Sequence, residues 1–172
     1  MRQETPHGQQ ERLFEARDFR AALSAFATGV TVITTGGTDA CFGVTANAFS
    51  SVSLKPPLVL VCIKAESGGS REIGRSANFA VNILSGDQET LSRHFACPDR
   101  PRGPGAFRSI PHWIAASGSP ILEGVAAYLD CRLVTNHRAG DHVIFIGETT
   151  DFAVDPRVSP LLFHGGRYRR VA

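Results

Sequence analysis

The residue types best suited to chemistry fall in one stretch, 43–63, "GVTANAFSSVSLKPPLVLVCI". Its first half is small and hydroxylated, with Thr45, Asn47, Ser50, Ser51 and Ser53 among alanines, and its second half (58–63) is an unbroken apolar run. Alternate side chains of a strand face opposite ways, so Thr45 and Asn47 share one face while Ala46 and Ala48 share the other. Small side chains let a flat ligand approach the backbone, whose free amides and carbonyls can then read the edge of a heteroaromatic ring. Ser51 and Ser53 are placed to bond a ribityl or phosphate oxygen beyond that ring. Lys64 and the segment 67–71, "SGGSR", bring hydroxyls, backbone amides and cations together, which suits a phosphate. The same spacing also fits an edge strand whose serines face water.

Other chemistries lack their residues. There is no Gly-x-Ser-x-Gly elbow, no Walker loop and no His-Glu-x-x-His. "TTGGTD" has adjacent glycines without the spacing or the following helix of a dinucleotide fingerprint. The four cysteines, Cys41, Cys62, Cys97 and Cys131, show no Cys-x-x-Cys pair, and no two histidines stand at a helical ligand interval, so no metal site is expected. His142, taken alone, reads as a solvent-exposed hairpin histidine, and Cys62 as a buried thiol.

The elements that must position these residues follow from periodicity. A polar tail over 1–14, expected to be disordered, precedes a single domain over 15–172. Phe19, Ala22, Leu23 and Phe26 recur at helical intervals, giving an amphipathic helix over 15–27 with Gly29 as its stop. "VTVITT" is a β-branched strand, "GGTD" at 36–39 a turn, and "ACFGVTANAF" the returning strand of a hairpin. Pro56 and Pro57 interrupt any ladder before "LVLVCI", a strand buried on both faces. "SGGSREIGRS" is a loop with a short helical turn, and "FAVNIL" another buried strand. Ser85 opens a second helix with Gln88 as capping-box partner; Leu91 and Phe95 mark its inner face and Pro98 its end. The Pro/Gly-rich segment 97–111 is a loop. Two long strands joined by "AGD", then a short apolar strand, a Gly-Gly turn and a basic strand, complete the chain. The expected fold is mainly β, with flanking helices and about six or seven mostly antiparallel strands curled into a barrel, because closure removes exposed edges.

A chain of 172 residues can bury one proper core. Its net charge of +2 provides no strong field for nucleic acid or anionic membrane, and the basic clusters at 100–102 and 167–170 read as solvated loop and tail charges. No apolar run approaches the roughly 20 residues of a membrane-spanning helix, and the polar start lacks a signal-peptide core. A reducing cytoplasm is the expected compartment.

"TGVTVITT", "GVTANAFSSVSLKPPLVLVCI", "NFAVNIL", "GDHVIFIGE" and "PLLFHGGRYR" occur in an order and spacing that resembles the short-chain flavin reductase family, the reductase components of two-component flavin-dependent monooxygenases. The resemblance runs over 19–168, and "TANAFSSVS" and "GDH" are its most specific parts. It implies a flavin-binding split β-barrel that forms a homodimer. The implied activity is NAD(P)H-dependent reduction of FMN or FAD, with the reduced flavin passed to a separate oxygenase. Carried over by position, Thr45, Ala46, Asn47 and Ala48 line the isoalloxazine. Ser51 and Ser53 approach the ribityl chain and phosphate, and Cys62, Ile63 and Lys64 border the same groove. Ser70 and Arg71 fall at the phosphate end, Phe79 and Ala80 beside the flavin, His142 by the nicotinamide, and Tyr168 around the dinucleotide. Hydride transfer from NADH or NADPH needs stacked rings and excluded water rather than a protein nucleophile, which agrees with the absence of a triad. The fold also hosts non-enzymatic FMN carriers and oxidases with permanently held flavin, and these stay open as alternatives.

Overall fold

The computed structural model describes residues 15–36, 41–101 and 103–171. The tail expected at 1–14 lies outside the described residues, as does all but Gly36 of the expected turn.

Helix α1 (Ala16–Ser24) is followed by strands β1 (Thr28–Gly29), β2 (Thr31–Thr35), β3 (Phe42–Ala46), β4 (Phe49–Leu54) and β5 (Pro57–Lys64). Helix α2 (Gly68–Ser76), strand β6 (Asn78–Ile83) and helix α3 (Glu89–Ala96) come next. After a 3₁₀ turn at Gly103–Gly105 stand β7 (His112–Ile114), β8 (Pro120–Leu122), β9 (Ala127–Ala139), β10 (His142–Val154), β11 (Leu161–His164) and β12 (Arg167–Arg170).

Seven strands form one sheet in the order β3-β2-β6-β9-β10-β5-β4, with every pairing antiparallel. Its two outermost strands, β3 and β4, are consecutive in the chain and separated by only Asn47 and Ala48. The sheet therefore curls until its ends are one bent segment, a split barrel whose seam lies between β3 and β5. At the bend the Cys62 N–H donates to the Ala48 carbonyl at 3.0 Å.

Period-two alternation sorts the core into two clusters. Ile33, Val59, Val61, Ile63, Phe79, Val81, Cys131 and Phe145 pack together on one side, with Ile73 of α2 among them. Val30, Val32 and Leu84 join Phe95 of α3, Phe107, Leu122 and Leu161 on the other. Burial pushes the Cys131 thiol up to about 12, so it stays protonated as a small apolar group.

Several expectations need correction. Strand β5 is buried on one face only: Val59, Val61 and Ile63 point in, whereas Leu58, Leu60 and Cys62 are half-buried. The prolines do not interrupt the ladder; Leu54 pairs with Pro57 around a tight turn containing a cis Lys55–Pro56 bond. The segment after β5 forms a nine-residue helix, because Ser67 caps it by accepting the Ser70 N–H. Helix α3 begins at Glu89, later than expected, although Gln88 Oε1 does accept the Ser85 N–H at 3.0 Å. Helix α1 ends at Ser24, and Gly29 belongs to β1. Strands β7 and β8 escape sequence reading: each has three residues, too few to show a period.

Candidate functional site

The seam opens into a cleft of about 500 Å³, within the range of small-molecule sites. Val44, Thr45 and Ala46 of β3 and the bend residues Asn47 and Ala48 form one wall. The end of β5, with Cys62, Ile63 and Lys64, forms the opposite wall, and His142 stands at its rim as the Cα partner of Lys64. Glu66, Ser67, Gly68 and Arg71 close one end, and Ala96, Pro98 and Arg100 close the side beneath α3. Phe42 lies between: its ring rests against Gly68 and Gly69, and an added side chain at Gly69 would collide with it. The Arg100 guanidinium sits 5.0 Å from the centre of that ring while its Nε donates to the Gly43 carbonyl at 2.8 Å.

The electrostatics divide the cleft. Around the bend the side chains are short and largely uncharged. At the α2 end, Lys64 and Arg71 face the start of a helix, where backbone N–H groups and the dipole favour an anion. The Arg71 side chain reaches back to the Glu66 carbonyl at 3.3 Å. His142 Nδ1 lies 2.8 Å from the Asp141 carboxylate, and this bond holds the Asp141 carboxyl below its usual range. Burial raises the Cys62 pKa, so Cys62 presents a neutral thiol rather than a nucleophile. The cleft thus offers room for a flat ring beside the alanines, a polar rim, a cationic end, and no activated nucleophile.

Residues 23–172 match the flavin reductase like domain. The chain belongs to the flavin reductase family. It is 41% identical over 155 residues to an NADH-dependent FAD reductase of Streptomyces globisporus, covering 89% of this chain and 84% of that one. It is 38% identical over 156 residues to a reductase subunit of a flavin-dependent monooxygenase from Mycobacterium tuberculosis, covering 90% and 81%. The solved structure of an NADH:FAD oxidoreductase of Streptomyces globisporus, in complex with NAD and FAD fragments, superposes with a TM-score of 0.85 at 37% identity, over 94% of this chain and 97% of the other.

Within this family member, nine of the expected site residues gather on the cleft: Thr45, Ala46, Asn47, Ala48, Cys62, Ile63, Lys64, Arg71 and His142. Six do not. Phe79 and Ala80 are fully buried, with Phe79 in the cluster around Val61 and Phe145, so neither can stand beside a ligand. Ser51 and Ser53 pair with Val59 and Leu58, farther down β5 than the cleft, and Ser53 Oγ accepts the Lys55 N–H. Ser70 lies outside the lining, its N–H spent on the Ser67 cap. Tyr168 packs behind α3, its hydroxyl 2.9 Å from Ser92 Oγ.

Sequence reading passed over Phe42 and Arg100. Arg100 belongs to a cluster read as solvated, yet it is docked onto β3, and a short basic cluster among prolines carries no local sign of that.

Proposed function

We propose that this chain is an NAD(P)H-dependent flavin reductase that transfers a hydride to FMN or FAD held in the seam cleft and releases the reduced flavin to a separate flavin-dependent monooxygenase. The observation that carries the reading is the bend of Ala46, Asn47 and Ala48, which follows β3 and lines the opening with short side chains. A planar ring can lie against such a wall, with main-chain groups and Asn47 at its edge. The flavin supplies the hydride-accepting ring. Lys64, Arg71, Ser67 and the α2 amides hold its phosphate. His142 of β10, paired with Lys64 of β5, positions the nicotinamide at the rim. Cys62 contributes a neutral wall and moves no proton. The open, strand-built cleft suits a flavin that must leave, so the flavin behaves as a second substrate. The relatives named as an NADH-dependent FAD reductase and a monooxygenase reductase subunit support this reading.

A homodimer belongs to the proposal. Helix α1 buries none of its residues, and Phe19, Leu23 and Phe26 stand 58%, 58% and 77% exposed, an apolar face a monomer rarely leaves uncovered. The proposed compartment is the cytoplasm, supported by the reduced thiols Cys62, Cys97 and Cys131. Among the described residues, no helix is long and apolar enough to cross a membrane.

The test follows NADH and NADPH oxidation by absorbance while FMN, FAD and riboflavin are each titrated. A rate that saturates with added flavin supports the proposal. Tightly retained flavin without nucleotide oxidation identifies a carrier instead, and a rate indifferent to added flavin identifies an oxidase with a resident flavin.

A further inference from the structure

The cleft wall that carries the alanines is held from behind by Thr45, Ser92 and Tyr168, Ser92 joining the other two through its main-chain carbonyl and its hydroxyl. Thr45 of β3 donates its Oγ1 proton to the Ser92 carbonyl of α3 at 2.6 Å. Ser92 is fully buried, and its own hydroxyl lies 2.9 Å from Tyr168 Oη of β12. The Tyr168 ring is in turn fixed on two sides, by the Arg93 guanidinium 4.8 Å from its centre and by Phe163 in an edge-on contact at 5.3 Å. Helix α3 can sit this close to β3 because Gly43 has no side chain: a Cβ there would run into the Phe95 ring.

Strand β12 pairs only with β11, which pairs with β1, and this small sheet meets the seven-stranded one at its β11 end, where the Leu161 N–H donates to the Leu84 carbonyl and the Val30 N–H to the Leu161 carbonyl. The Tyr168 side chain adds a second tie, from β12 to α3, which in turn is bonded to β3. The Thr45 end of the series lies next to Ala46, where the chain begins to bend. We infer that Tyr168 and Ser92 are positioning residues for the ring-binding bend: they fix the depth of α3 against β3, and through Thr45 the line of the wall at Ala46, without touching flavin or nucleotide. This rests on the flavin-reductase reading. It gives Tyr168 a task different from enclosing the dinucleotide.

Hydroxyl loss at Tyr168 has a small effect on stability, since a helical serine can turn instead to the carbonyl four residues earlier. Its effect on the wall is the larger one. The experiment compares the full-length wild type with Tyr168→Phe, Thr45→Val and the double variant, titrating FMN and FAD by flavin fluorescence and measuring steady-state NADH oxidation. In Tyr168→Phe the flavin Kd and flavin KM rise about five-fold, equivalent to about 1 kcal/mol, while kcat at saturating flavin stays within two-fold. The double variant loses clearly less than the product of the two single losses, because both remove links of one series. Ser92→Ala, which removes the partner of the Tyr168 hydroxyl and keeps the carbonyl that Thr45 uses, serves as a second probe and gives the same split as Tyr168→Phe. Unchanged flavin Kd in Tyr168→Phe overturns the inference, and so do single effects that simply multiply, or a loss of binding that only follows a fall in Tm. If the wild type itself neither binds flavin nor oxidises NADH, the flavin-reductase reading fails first; wild-type activity with an indifferent Tyr168→Phe removes this inference alone.

Discussion

His142 stands directly across from Lys64, the two being the outermost Cα partners where β10 meets β5, and both face the seam cleft. One side chain is a cation suited to phosphate and the other an imidazole held at Nδ1 by its neighbour Asp141. Under the proposed function, the pair sets a flavin-holding group and a nicotinamide-facing group on adjacent strands. His142→Ala is expected to raise the KM for the pyridine nucleotide, or to lower kcat, by about ten-fold, with flavin affinity kept within a few-fold. Steady-state kinetics with each substrate varied in turn, together with flavin titration, measure the split; unchanged kinetics would remove His142 from the site.

Ala48 is exposed at the bend, so enlarging it costs the fold little. Ala48→Phe should keep Tm within about two degrees of wild type while flavin affinity falls by about ten-fold or more, because the ring fills the space a planar ligand needs. Thermal melts and fluorescence titration of one preparation check both halves.

At the α2 end of the cleft the expected selectivity concerns charge. Lys64→Glu and Arg71→Glu should each weaken FMN and FAD binding by about ten-fold and leave riboflavin, which has no phosphate, within about two-fold. Raising the salt concentration should narrow the difference between wild type and variants. Equal losses for all three flavins would assign these cations to support of the wall instead.

Asp155, at the end of β10, accepts hydrogen bonds from Arg157 Nε and Nη2 at 2.9 and 2.8 Å and from the Arg157 backbone N–H at 3.0 Å. These bonds lower its pKa from 3.8 to about 2. A depressed carboxyl stabilises the folded state above the unfolded-state value and loses that contribution as pH falls through the folded one. The Tm gap between wild type and Asp155→Asn should therefore be steady above about pH 5 and shrink as pH drops from about 4 towards 2. A gap that does not change across this range would show that the charged pair contributes nothing to the fold.

Much of the architecture was legible because it rests on local pattern. The two long strands expected over 125–138 and 142–154 returned as the hairpin of β9 and β10, and the β-branched run at 30–35 as β2. The small residues at 45–48 announced a wall able to admit a flat ligand, and they line the cleft. Length misled elsewhere: β7 and β8 are too short to show a period, and the glycines at 68 and 69 hid a helix start that Ser67 caps.

The sequence by itself determined the long strands and most of the turns, and that one stretch, 45–48, would present methyl-sized, hydroxyl and amide side chains. Those properties depend on near neighbours along the chain. That this stretch bends at Asn47 and Ala48 instead of continuing as a strand came from the fold. Only the tertiary structure decided which residues of the shared motifs reach the cleft. Phe79 and Ala80 sit on β6, flanked by β2 and β9, and are sealed inside. Tyr168 meets α3 from behind, and Arg100 docks on β3 from a loop. A side chain's face depends on which strand lies beside its own and which helix covers it, and those neighbours come from distant parts of the chain.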